Sequence, residues 1–83
     1  MNMNSTGVET MRKITFLSAA QGRTHVYDGE RQIGVIDSDP KTGDKVLRMN
    51  GPNGGRWRLV THIFHDHPAL TEMVNEFADD IGV

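Results

Sequence analysis

The stretch PALTEMVNEFADDIG, residues 68–82, has the clearest periodicity in this chain and predicts a C-terminal helix. Its apolar residues recur at the spacing of one buried helical face, and they are Leu70, Met73, Val74, Phe77 and Ile81. Pro68 suits the first helical turn, where its missing N–H costs no hydrogen bond. Gly82 is a suitable C-terminal stop, and Asp66 or His67 is positioned to cap the first amides. The helix should therefore pack its apolar stripe against a partner layer.

The residues before this helix predict that layer as a sheet of short strands. Apolar and β-branched residues alternate in short runs, and the candidate strands are residues 14–17, 24–27, 32–36, 46–49 and 57–64. Asp28-Gly29 is a strong hairpin signal, while residues 37–44 predict an eight-residue connector and residues 50–55 a six-residue glycine-rich loop. The expected fold class is α+β: a small antiparallel β-meander of four to five short strands, with one C-terminal helix packed on one face.

Length and composition set the domain organisation. Residues 1–10 carry no periodic pattern and predict a flexible N-terminal tail, whereas residues 11–83 predict a single globular domain. A domain of this size has a modest core, so we expect no bound cofactor. The chain has no cysteine, which excludes disulfides and thiolate zinc sites. No apolar run is long enough for a membrane span or signal segment, so we expect a soluble, cytoplasmic protein without a membrane partner.

Charge is strongly segregated along the chain. All nine lysines and arginines lie between Arg12 and Arg58, whereas the region after Arg58 contains acids and histidines but no lysine or arginine. Four acids share one side of the predicted helix: Glu72, Glu76, Asp79 and Asp80. Like charges at this spacing repel one another. The acidic side is therefore either a solvated face or a docking surface for a partner with a basic surface, and we take the second as the hypothesis for partner binding.

A basic hairpin offers an alternative. Its cations are Lys45, Arg48, Arg56 and Arg58. Trp57 lies between two arginines, and such combinations bind single-stranded nucleic acid. Strand alternation, however, puts Trp57 on the face opposite Arg56 and Arg58, and we expect this lone tryptophan to lie in the core. The sequence pI near 6.0 is unusual for a nucleic-acid-binding protein.

A histidine cluster precedes the helix, with candidate metal ligands His62, His65, Asp66 and His67. Imidazole and carboxylate groups are good zinc ligands, and residues 61–67 resemble the Thr-His-x-His-x-Asp-His signature of the metallo-β-lactamase superfamily. Phe64 replaces the second histidine, and that fold needs a chain more than twice as long, so the resemblance is coincidental. We expect structural or exposed histidines and no metal site, with metal-dependent activity at these residues as a second alternative.

The sequence contains no recognisable catalytic motif. Together with the segregated charge, this favours a small non-enzymatic binding protein that acts by protein–protein contact. We expect an unidentified protein partner, and an inhibitor or regulator of host machinery, of the kind encoded by phages and mobile elements, is one form of this function. A nucleic-acid-binding module that uses a basic sheet face is the first alternative.

Overall fold

The computed structural model describes residues 12–83, which form a five-stranded sheet and one α-helix. The elements are β1 (Ile14–Ser18), β2 (Thr24–Asp28), β3 (Arg31–Ser38), β4 (Lys45–Gly51), β5 (Gly54–Leu59) and α1 (His67–Ile81). The strands are ordered in the sheet as in the sequence, and every neighbouring pair is antiparallel. The predicted meander is confirmed, with five strands. The tail predicted over residues 1–10 lies outside the described residues.

Helix α1 covers one face of the sheet and forms the core with it. The buried apolar residues are Val26, Ile33, Ile36, Leu47, Met49, Val60, Leu70, Val74, Phe77, Ala78 and Ile81. Met73 lies at the margin of this cluster. The side chain of Asp66 accepts the N–H of Ala69 at 3.2 Å, and Gly82 ends the helix with a left-handed φ of 84°. The predicted helix, its buried face and both of its ends are therefore confirmed.

The hairpin between β4 and β5 is tighter than predicted. Only Pro52 and Asn53 connect the two strands, whose pairing begins at Gly51 and Gly54. A Cβ atom on Gly51 would lie 2.5 Å from the carbonyl oxygen of Ile81. The prediction of a six-residue loop was wrong because Gly51 is a strand residue that lets the end of α1 approach the sheet.

Strand β5 also ends earlier than predicted. The candidate strand 57–64 stops at Leu59, and Thr61–Ile63 form a single 3₁₀ turn. Val60 is fully buried, its N–H donates to the carbonyl of Lys45 at 2.8 Å, and its own carbonyl accepts the N–H of Ile63 at 3.0 Å. Burial of Val60 thus fixes the point where the chain leaves the sheet and turns towards α1.

The connection between β3 and β4 is organised by Asp39. Its carboxylate accepts the backbone N–H of Lys41 at 2.8 Å and that of Thr42 at 3.4 Å. These two hydrogen bonds, first that from Lys41, hold the pKa of Asp39 below its ordinary value because they stabilise the charged form. The turn is therefore fixed by hydrogen bonds to a carboxylate whose charged form they favour.

Arg12 joins the residues before β1 to the end of α1. Its guanidinium donates to the carboxylate of Asp79 at 2.7 Å, to the backbone carbonyl of Val83 at 2.8 Å and to the side-chain oxygen of Asn75 at 3.4 Å. The Arg12 side chain is only 12% exposed. Arg12, which is far from α1 in the sequence, therefore attaches the chain just before β1 to the end of α1.

Candidate functional site

The face of the sheet that α1 leaves uncovered, which we call the open face, carries a continuous row of side chains. Strand register pairs Leu17 with His25, His25 with Val35, Val35 with Arg48, and Arg48 with Trp57. Paired residues in an antiparallel sheet point to the same side. The row therefore crosses all five strands, and it ends in two exposed apolar side chains, Leu17 at 59% and Trp57 at 66%.

Further apolar side chains flank this row. Val46 pairs with Asp37 on one side and with Leu59 on the other, and Leu59 is 48% exposed. Tyr27 lies on the same face beyond His25, with its ring centroid 6.4 Å from that imidazole. The open face thus comprises Thr15, Leu17, His25, Tyr27, Val35, Asp37, Val46, Arg48, Asn50, Trp57 and Leu59.

The apolar character of the open face is unusual. An antiparallel sheet with one buried face normally presents polar residues on the other. Within residues 12–83, however, the exposed large hydrophobic side chains are Leu17, Trp57 and Leu59, and all three lie on the open face. The sheet therefore carries apolar side chains on both faces, of which α1 covers one.

The charged groups on the open face, and Arg23 beside it, neutralise one another in part. One carboxylate oxygen of Asp37 lies 3.0 Å from the guanidinium of Arg23, and the other lies 3.5 Å from that of Arg48. All three side chains are partly exposed, so these pairs contribute little to stability. These pairs instead determine the charge of the surface. Arg23 and Arg48 share the single carboxylate of Asp37, so the net charge there is small.

The prediction that Trp57 lies in the core was wrong, although the alternation around it was predicted correctly. Arg56 pairs with Met49 and Arg58 with Leu47, so both arginines lie on the helix side and Trp57 points the other way. The guanidinium carbon of Arg58 lies 5.3 Å from the ring centroid of Phe77. An arginine can cover the edge of a core in this way because its long apolar stem packs while its charged end reaches solvent.

The predicted basic sheet face does not exist as one surface. Arg48 lies on the open face, whereas Arg56 and Arg58 lie on the helix side. Lys45 also lies on the helix side, with its ammonium 4.8 Å from the ring centroid of Phe64 and donating to the hydroxyl of Ser38 at 2.7 Å. The four cations are therefore divided between the two sides of the sheet.

The acidic residues predicted for partner binding do share one exposed stripe along α1. This acidic stripe comprises Glu72, Glu76, Asp79 and Asp80, all exposed. Asp79 is paired with Arg12 at 2.7 Å, which removes one of the four charges as a docking element. Within residues 12–83, no ion pair involves Glu72, Glu76 or Asp80. Three exposed carboxylates thus remain, on the side of the helix away from the sheet.

The histidine cluster does not converge on a common point. His62 lies in the 3₁₀ turn, Asp66 caps α1, and the rings of His65 and His67 contact Phe64 and Phe16 at centroid distances of 5.1 and 5.5 Å. In the part of the chain that the structure describes, no three potential metal-ligating side chains come together. The metal alternative therefore has no assembled set of ligands.

Sequence reasoning missed the open face as a site. One signal was available: Leu17 is apolar although it is opposite in phase to Ile14 and Phe16, and Leu59 shares the phase of Trp57 within its strand.

Within residues 12–83, no helix combines the length and hydrophobicity that a membrane crossing requires. Comparison with protein-family models, curated proteins and solved structures finds no match for this chain.

Proposed function

We propose that this chain is a small non-enzymatic binding protein that acts by protein–protein contact, and that the open face is its contact surface. The observation that carries this proposal is the exposure of Leu17, Trp57 and Leu59 on one face, at 59%, 66% and 48%. Exposed apolar patches on small proteins mark interaction sites; the patch here is Trp57 with Leu59 on β5, and Leu17 lies apart from it at the opposite edge, on β1. A regulator or inhibitor that acts by occupying a surface is the form of activity that such a face supports.

Trp57 is the expected anchor of the contact. Tryptophan is enriched among the residues that dominate binding energy at interfaces. A side chain of this size that is 66% exposed leaves about 150 Å² to be covered, which corresponds to about 4 kcal/mol of gross hydrophobic stabilisation before the cost of association. Arg48, directly opposite Trp57, supplies a polar group that can orient the partner.

The acidic stripe is the competing surface. Its three uncompensated carboxylates would attract a partner with a basic surface, an effect that acts mainly on the association rate and weakens with salt. The stripe lies on α1, and the open face lies on the opposite side of the sheet. One rigid partner of ordinary size therefore cannot cover both, and mutations can separate the two.

Capture experiments with matched variants test this proposal. Tagged wild type would be compared with an open-face variant, Leu17→Ser with Trp57→Ala, and with a stripe variant, Glu72→Gln with Glu76→Gln. Proteins captured from a lysate of the source organism would be quantified by mass spectrometry, and circular dichroism would confirm that each variant is folded. We expect the open-face variant to lose its partners and the stripe variant to retain them. The reverse pattern would move the contact surface to the acidic stripe.

A second candidate function is binding of single-stranded nucleic acid at the same face. It is favoured by one observation: exposed Trp57 lies directly across from Arg48, with His25 in the same row. Bases stack on such aromatic side chains, and guanidinium groups contact phosphates. Asp37 lies 3.5 Å from Arg48 and would oppose a phosphate there, so protein contact is the better-supported function.

Titration with oligothymidine separates the two functions. Trp57 is the only tryptophan, so its fluorescence reports directly on this face. Nucleic-acid binding would quench the emission with a strong dependence on salt, and Arg48→Gln would weaken it. We expect no quenching.

A further inference from the structure

We infer that the partner on the open face is a second copy of this chain, and that two sheets stack through their open faces as a two-layer homodimer. This inference rests on the proposed function, since it names the partner of the same surface. Three properties of the open face lead to it: shape, area and charge.

The shape of the open face matches its own copy. It is the face of a single continuous meander, with one row of residues crossing all five strands. Two such faces pack with aligned strands at a separation of about 10 Å, as the sheets of a β-sandwich do. A two-fold arrangement needs only one self-complementary patch. Apolar side chains lie at both edges of the face, Leu17 at one and Trp57 with Leu59 at the other, and Val35 lies at its centre, so a second sheet would meet apolar side chains at the edges and the middle, with His25 and Arg48 between them.

The area of the open face suits a weak dimer. Five strands at about 4.8 Å spacing give a width of about 24 Å, and strands of five to eight residues give a length of about 17–26 Å. The plan area is thus about 400–600 Å² per copy, to which the relief of the side chains adds. Two copies would bury about 800–1,200 Å² of plan area, which is at or just below the lower end of specific interfaces. The expected product is a monomer–dimer equilibrium at micromolar concentrations.

The charges on the open face permit self-association. Asp37 shares its carboxylate between Arg23 and Arg48, so each copy brings only a small net charge to the contact. The acidic stripe, in contrast, would repel a second stripe, and stacking through the sheets places the two stripes on the outer sides of the dimer. Self-association through the open face therefore avoids the strongest like-charge repulsion on the molecule.

The test uses the full chain, purified without a partner. Sedimentation velocity and Trp57 emission would be followed from about 0.1 µM to about 1 mM, a range that brackets a micromolar equilibrium. We expect the mass to rise from 9.3 kDa towards twice that value, and the emission to shift to shorter wavelength as Trp57 leaves water. Both changes should follow the same concentration dependence.

Two open-face variants and one control locate the contact. Trp57→Ala should raise the dissociation constant about tenfold or more, because it removes the expected anchor. Val35→Lys places like charges at the centre of the row and should abolish the dimer. Glu76→Gln, on the acidic stripe, should associate like the wild type. Should Val35→Lys fail to fold, as judged by circular dichroism, Trp57→Ala still decides the matter because its side chain lies outside the core.

The outcomes separate this inference from the proposed function. A mass of 9.3 kDa and an unchanged emission across the whole range would overturn the second-copy inference. If the open-face variant nevertheless lost captured partners, the proposed function would stand with a different protein in this place. If the emission responded only to oligothymidine, both would be overturned and the surface would belong to nucleic acid. A dimer that is unaffected by Trp57→Ala and Val35→Lys would place the contact elsewhere and also overturn the inference.

Discussion

Replacement of Trp57 by alanine should leave the protein folded with almost unchanged stability. Trp57 is 66% exposed on the open face and lies outside the buried cluster. Exposed substitutions usually change the free energy of unfolding by no more than about 0.5 kcal/mol, and the loss of an aromatic residue from a strand adds at most about 1 kcal/mol. We therefore expect a destabilisation of about 1.5 kcal/mol or less.

Phe77→Ala provides the matched comparison on the other side of the sheet. Phe77 is 5% exposed, belongs to the core cluster and lies beneath the guanidinium of Arg58. Truncation of a buried phenylalanine removes apolar burial and leaves a cavity, which costs about 3–5 kcal/mol. A small domain has little stability beyond this, so Phe77→Ala should be largely unfolded at ambient temperature.

Urea denaturation followed by far-UV circular dichroism measures both effects, because this signal does not depend on tryptophan. The measurement should be made at low protein concentration, so that association does not add to the apparent stability. A loss of about 3 kcal/mol or more in Trp57→Ala would refute the assignment of Trp57 to the open face. If Phe77→Ala unfolded at the same urea concentration as the wild type, the packing of α1 against the sheet would be refuted.

Three further outcomes are expected. Gly51→Ala should destabilise the protein by about 1–3 kcal/mol, because the new methyl group would stand 2.5 Å from the carbonyl oxygen of Ile81; a wild-type melting temperature would contradict this close approach. Asp66→Ala should cost about 1 kcal/mol by removing the acceptor for the N–H of Ala69, and urea denaturation would show no change if the cap contributed nothing. The lowered pKa of Asp39 means that its contribution to stability is fully present above about pH 4 and is lost as the pH falls through the folded-state value. Asp39→Asn should therefore flatten the acid limb of a plot of melting temperature against pH, and an unchanged limb would contradict the role of its charge.

The helix was predictable from local sequence because each of its determinants is local. Its apolar spacing, the cap at Asp66 and the stop at Gly82 all act within one or two turns. The bounds of β4 and β5 could not be predicted from local sequence, because they depend on contacts between residues distant in the sequence. Gly51 stays in the sheet because the end of α1 packs on it, and Val60 ends β5 because the core buries it.

The open face shows why the site was harder to predict than the fold. Alternation correctly separated Trp57 from Arg56 and Arg58, but alternation gives only two sets of residues and does not say which set faces the helix. Hydrophobicity predicts that the set containing Trp57 faces the helix. In the structure Arg56 and Arg58 face the helix instead, and Arg58 covers Phe77. The ion pair between Arg12 and Asp79 was equally inaccessible, because it joins residues at opposite ends of the described chain.

The contacts of Arg12 bring the two ends of the described part of the chain, residues 12 and 83, close together. Because its guanidinium binds Asp79 and the carbonyl of Val83, a short flexible linker can join Val83 to Arg12 without stretching the fold. New chain ends can then be opened in the exposed turn beyond Asp39. In such a circular permutant the sheet would keep its spatial order, although β4 would be synthesised first and β3 last. The architecture therefore depends on which strands lie side by side, and the order in which the chain visits them can be changed.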